Sequence, residues 1–163
     1  MEVVYRRCCG LDVHQASVTA CVLVFGKGAR KVRKKEFGTD RKSLQRLRLW
    51  MWACKVERVA MESTGVYWKP VWNVLEGHFP LLLANPRHMK NVPGRKTDQN
   101  DAEWIADLLA HGLLRASFVP PREIRDLRDL TRYRVKLMEE RNRIHNRIGK
   151  VLEDANLKLG VVA

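Results

Sequence analysis

Apolar residues first gather in this chain as short runs rich in β-branched side chains. Cys8 to Val13 and Ser17 to Phe25 are two such runs, the second nearly continuous (SVTACVLVF), as in a strand covered on both faces. A Gly26-Lys27-Gly28 turn leads into Lys31 to Gly38, a third strand that completes an antiparallel meander. Its many basic residues suit a sheet edge, where charge discourages pairing with another chain. After Thr39-Asp40 the period becomes helical, with Leu44, Leu47, Met51 and Cys54 on one stripe. Glu57 to Glu62 then predicts a fourth strand, Trp68 to Leu75 a short helix, and Pro80 to Ala84 (PLLLA) a fifth, buried strand.

Three strands followed by alternating helices and strands imply right-handed crossovers, so the last two strands join the meander as a parallel portion. The expectation is a mixed five-stranded sheet flanked by helices. Pro120-Pro121 marks a change of character. Beyond it no proline occurs, and no glycine before Gly149. Leu130, Leu137, Ile144, Ile148, Val151 and Ala155 recur at three and four, with Arg134 and Arg141 at the intervening seam positions. The division expected is a sheet domain over 1–119 and a long helix of coiled-coil type over 120–163.

Composition narrows the partners. Of 163 residues, 31 are Lys or Arg against 18 Asp or Glu, a net charge of +13, and 45% are hydrophobic. Such a chain folds rather than staying disordered and favours a polyanion, with nucleic acid ahead of an anionic membrane surface. The four cysteines, Cys8, Cys9, Cys21 and Cys54, form no CxxC pair and have no histidine at zinc-finger spacing. Arg6, Arg7 and Asp12 interrupt any apolar leader, and no stretch is long enough to span a membrane. Free thiols in a reducing, cytoplasmic setting are expected.

The stretch KTDQND, residues 96–101, opens a predicted helix. With Asp98 at zero and about 100° per residue, Asp101 falls near −60°, Ile105 near −20° and Leu109 near +20°, while Asp107 falls near 180°. Asp98 and Asp101 therefore continue the apolar stripe, and Asp107 is expected to face solvent. Capping and the helix dipole explain acidic first turns in general, but a capping carboxylate has no need to point toward a sheet. Asp12 ends the first strand on the face opposite Leu11 and Val13, and Glu62 ends the fourth after Val-Ala-Met. A buried ionised carboxylate costs several kcal/mol unless paired or metal-bound, although each alone is also compatible with a turn or cap. If the fourth strand lies beside the first, Asp12 and Glu62 are neighbours, and a helix docked there brings Asp98 and Asp101 to them. Carboxylates so gathered repel one another, and two Mg²⁺ ions, or Mn²⁺ in their place, cancel that charge as in a two-metal phosphodiester site.

The blocks GLDVH, MESTGVYWKPVWNVLE, NPRHMKNVPGRKTDQNDAEWIADLLAHGLL and RDLTRYRVKLMEERNRI together resemble the amino-terminal domain of DEDD-type insertion-sequence transposases, the IS one-ten family of bridge-RNA-guided recombinases. The resemblance implies a RuvC-like ribonuclease-H fold, with Asp12, Glu62, Asp98 and Asp101 as the four Mg²⁺-binding catalytic carboxylates. It implies DNA strand cleavage and exchange, binding of a structured guide RNA, and homo-oligomers assembled through the long helix. His14-Gln15 follows the first aspartate where many relatives carry a lysine at the second position, a difference that bears on substrate contacts. Relatives continue into a second domain bearing a serine nucleophile. That domain is expected to lie outside these residues, which leaves the chain incomplete for full recombination.

Among the basic residues, Arg87, His88, Lys90, Arg95 and Lys96 lie on the Asn85 to Lys96 connection beside the proposed metals, where phosphate contacts are expected. Lys27, Arg30, Lys31, Arg33, Lys34 and Lys35 fit edge protection or a phosphate track. Tyr67 and Trp68 fit core packing or base stacking, and Trp52 falls off its helix's apolar stripe. Two other readings use the same residues: a ribonuclease-H-like nuclease or junction resolvase, and a non-catalytic module that binds nucleic acid and oligomerises. An actin-like kinase would need a later glycine-rich phosphate loop, and none follows.

Overall fold

Five strands form along the apolar runs: β1 (Arg7–Val13), β2 (Ser17–Phe25), β3 (Arg30–Gly38), β4 (Arg58–Glu62) and β5 (Leu81–Ala84). The computed structural model describes residues 2–26, 29–63, 65–90, 92 and 101–158. These divide into two compact units, Met1–Phe118 and Val119–Ala163. In the first, the sheet order is β3-β2-β1-β4-β5. β1, β2 and β3 are antiparallel, whereas β4 and β5 run parallel to β1. An antiparallel meander extended through crossovers by two parallel strands is the ribonuclease-H-like, RuvC-like arrangement.

The helices cover both faces of this sheet. α1 (Arg41–Ala53) starts at Asp40, whose side chain accepts a hydrogen bond from the Ser43 amide at 3.0 Å. That bonding to Ser43 holds the Asp40 carboxyl below its ordinary pKa. α1 buries Leu44, Leu47 and Met51, and packs beside α2 (Trp68–Leu75). It lies on the face of Arg33 and Phe37: Arg33 reaches the Cys54 sulfur, and the Phe37 ring meets Trp50.

The Asn85 to Lys96 connection contains a helix that periodicity does not predict, α3 (Pro86–Lys90). Asn85 accepts from the Arg87 amide at 2.9 Å, and proline occupies the first helical position, both ordinary helix-start chemistry. Five residues are too few to display a 3.6-residue period.

α4 (Asp101–Ala110) lies on the other face of the sheet, against β1, β2 and β4. It buries Ala102, Trp104, Ile105, Ala106, Leu108, Leu109 and Ala110, so that it is apolar on almost every side. Gly10 of β1 permits this seat. A Cβ at Gly10 would stand 2.2 Å from the Ala102 carbonyl oxygen and 2.4 Å from the Ala106 nitrogen, far inside van der Waals contact. The second unit is dominated by α5 (Arg122–Asp154), 33 residues long with none buried. Among the described residues, no helix is long and apolar enough to cross a membrane. All four cysteines are free and buried.

Candidate active site

Strand alternation decides which side chains share the α4 face. Cys8, Gly10 and Asp12 project to one side of β1, since successive residues alternate. Cys8 donates its thiol to the Ala106 carbonyl at 3.3 Å, which fixes that side as the one under α4. On the parallel neighbour, Gly10 pairs with Ala60 and Leu11 with Met61. Continued by one residue, this register sets Asp12 beside Glu62, on the same face and about 5 Å apart between strands. Glu62 in turn pairs with Ala84, at the end of β5.

α4 runs antiparallel to β1. Its Ala102 carbonyl lies over Gly10, and Ala106, one turn later, reaches both Gly10 and Cys8. The helix therefore begins at the Asp12 end of the strand, and Asp101 is its exposed first residue. Asp12 and Glu62 are half-buried. Asp12 accepts a hydrogen bond from the His14 Nε2–H at 3.1 Å, and His14 itself is exposed. His14 thus partners the first carboxylate at the lip of the site, a role the sequence reading did not assign.

Asp98, Arg95 and Lys96 lie outside the described residues. Arg87 is exposed on α3, which follows directly from the β5 end beside Glu62. His88 is half-buried, its ring N–H donating to the Leu113 carbonyl at 3.3 Å. Lys90 ends α3. After Glu62, the loop to α2 leaves Val66 and Tyr67 exposed, whereas Trp68 stacks edge-on against Trp72 at 5.9 Å.

Two features differ from expectation. Asp107 does not face open solvent: it is half-buried and accepts a hydrogen bond from Arg30 at 3.1 Å. Glu103, one turn earlier, pairs with Arg30 and with Lys34 at 2.7 Å. Two cations of the basic edge strand are therefore spent on α4 rather than presented to a partner. The signal was Arg30 and Lys34 on one strand face and Glu103 and Asp107 on one helix face, but only the docked helix shows that the faces meet.

Asp12, Glu62 and Asp101 are all carboxylates at one end of the sheet, the hard oxygen donors that a divalent ion prefers. Among the described residues, no group of three or more His, Cys, Asp or Glu side chains is gathered closely enough to hold a metal. The pair on β1 and β4 is assembled by the sheet, and the third carboxylate arrives with the helix.

Solved structures to which the chain is similar include Thermus thermophilus RuvC in complex with a Holliday junction substrate, at 12% identity, 69% of this chain, 100% of that chain and a TM-score of 0.48. The Fowlpox virus resolvase with Holliday junction DNA is similar at 9% identity, 56% of this chain, 65% of that chain and a TM-score of 0.39. No curated protein matches the chain. The family model of the DEDD-type transposases of IS one-ten elements, described as Transposase, matches residues 9–157. That span takes in most of the strand of Asp12, the strand of Glu62, the helix of Asp101 and all of α5, and the chain belongs to this transposase family.

Proposed function

We propose that this chain is the nucleic-acid-cleaving domain of a DNA transposase, with Asp12, Glu62, Asp98 and Asp101 holding Mg²⁺, or Mn²⁺ in its place. The observation that carries this reading is the register of β1 and β4, which sets Asp12 beside Glu62 at the end of the sheet where α4 begins with Asp101. The bound ions would supply an activated attacking oxygen and charge stabilisation for the leaving oxygen of a phosphodiester. The chain's own contribution is positional. The two strands fix one pair of carboxylates, α4 begins with Asp101, and His14 orients the Asp12 carboxylate through Oδ2. Arg87 on α3, with His88, Lys90, Arg95 and Lys96 along the same connection, would track the phosphates of the strand being cut. The positive net charge supports binding of DNA and of a structured guide RNA. The exposed seam of α5 supports self-association.

The test is a thermal melt with and without Mg²⁺ or Mn²⁺. A ligand at a hundred times its Kd raises native-state stability by about 2.7 kcal/mol. Wild type should gain melting temperature, whereas Asp12→Asn and Asp101→Asn should not. An equal metal response in all three proteins sinks the shared site and leaves the non-catalytic binding module. Cleavage assays on linear duplexes and four-way junctions then separate the transposase reading from a junction resolvase. Steep weakening of DNA and RNA binding with salt is expected, and a flat response argues against phosphate contacts.

A further inference from the structure

The seam of α5 carries information about direction. Leu127, Arg134, Arg141 and Ile148 stand seven residues apart in one column, and Leu130, Leu137, Ile144 and Val151 in a second, three residues on. These are the two columns of a heptad seam. The six aliphatic members are all exposed, over 33 residues of continuous helix. On the opposite face, Arg128, Asp129, Arg132, Lys136, Arg143 and Lys150 are polar, with the exposed Val135 the apolar residue among them. The helix is therefore built to be covered along one stripe, and the two arginines near its midpoint restrict how.

In a parallel pair each first-column residue meets its own copy. Arg134 would face Arg134 of the second copy and Arg141 would face Arg141, two consecutive layers of like charge in a partly desolvated seam. Like charges so placed are destabilising, and polar residues in this column are known to specify pairing. In an antiparallel pair, first-column residues meet second-column residues instead. Each arginine then lies over an aliphatic partner such as Leu137, Ile144 or Val151, along which its methylenes pack while the guanidinium reaches water. The remaining layers are aliphatic on aliphatic. Because the arginines flank Leu137 close to the helix centre, this holds for a two-fold pairing of one chain with itself, in which the same stripe serves both partners.

We infer that α5 pairs with a second copy of this chain in antiparallel orientation, and that Arg134 and Arg141 exclude the parallel one. The inference rests on the self-association proposed above and goes beyond it in fixing direction.

A spin label on Asp126→Cys in the full chain, read by pulsed dipolar spectroscopy, tests it, with the buried native thiols left unlabelled. At about 1.5 Å per residue, antiparallel pairing puts the two labels more than about 35 Å apart, whereas parallel pairing brings them within about 20 Å. Asn142→Cys, near the middle, should give a short distance. Sedimentation separates the two levels of the argument. A monomer at micromolar concentration overturns both self-association and direction, and a dimer with a short distance at position 126 overturns direction alone. In the Arg134→Leu, Arg141→Leu double variant a short-distance population should appear at position 126. If that variant keeps only the long distance, the arginines do not set the orientation and the inference fails.

Discussion

Gly10→Ala is the smallest change that tests how α4 is seated. The added Cβ would stand 2.2 Å from the Ala102 oxygen, 2.4 Å from the Ala106 nitrogen and 3.1 Å from the Ala106 Cα. All three are backbone atoms, so no side-chain rotation relieves the overlap, and α4 must retreat by about 1 Å to restore an ordinary contact. Inserting a methyl into a packed site costs about 1–3 kcal/mol. At roughly 4 °C per kcal/mol for a domain of this size, melting should fall by about 4–12 °C. The assay is thermal unfolding followed in the near ultraviolet, where the Trp104 signal reports on α4. Because the obstacle is backbone, Ala106→Gly should not rescue the variant. The retreat also carries Asp101 away from Asp12 and Glu62, so metal-induced stabilisation should weaken more than the melting loss alone accounts for. A Gly10→Ala protein with unchanged melting and unchanged metal response refutes the close seating of helix on strand.

Other outcomes follow from the same geometry. Glu103→Gln removes the carboxylate shared by Arg30 and Lys34; since these groups are partly solvated, the loss should be modest, about 1 kcal/mol, and a double-mutant cycle with Lys34→Met should show coupling. Burial pushes the Cys8 thiol up to about 12 and Cys21 up to about 11, and burial also raises Cys9. Cys8, Cys9 and Cys21 should therefore resist a thiol reagent at pH 8 and react only in denaturant, and Cys54 should be shielded by its burial; rapid labelling of the native protein contradicts this packing. With folded values above unfolded ones, the contribution of Cys8, Cys9 and Cys21 is complete below the ordinary thiol range and declines as pH rises through it, giving an alkaline loss of stability. Asp40 runs the other way. Its lowered pKa means a contribution present above the ordinary carboxylate range and lost as pH falls through it, so Asp40→Asn should flatten part of the acid limb of a melting-versus-pH curve.

Local pattern carried most of the elements. β1, β2, β4 and β5 are legible because short apolar runs bounded by turns or breaks have few alternatives to a buried strand, and β3 because its lysines and arginines suit an edge. α1, α2 and α5 are legible from their 3.6-residue stripes, and Asp12 and Glu62 from their place at the ends of apolar strand runs. α3 was missed because its signal lies in Asn85-Pro86 and not in any period. Asp107 was misjudged for a different reason. A wheel assigns a helix one wet face, yet α4 lies in a trough where Gly10 admits its backbone and β3 reaches over its far side with Arg30 and Lys34.

By itself, then, the sequence determined all five strands and every helix but α3, the carboxylates that stand at the ends of the apolar runs, the basic character and the heptad spacing, since all of these are set by side-chain chemistry over a few neighbouring residues. Only the tertiary structure decided that β4 lies beside β1, in the register that sets Asp12 next to Glu62, and that α4 starts at that same end. Residues fifty positions apart have no local period to announce their meeting. Crossover connections and the close approach allowed by one missing Cβ bring them together.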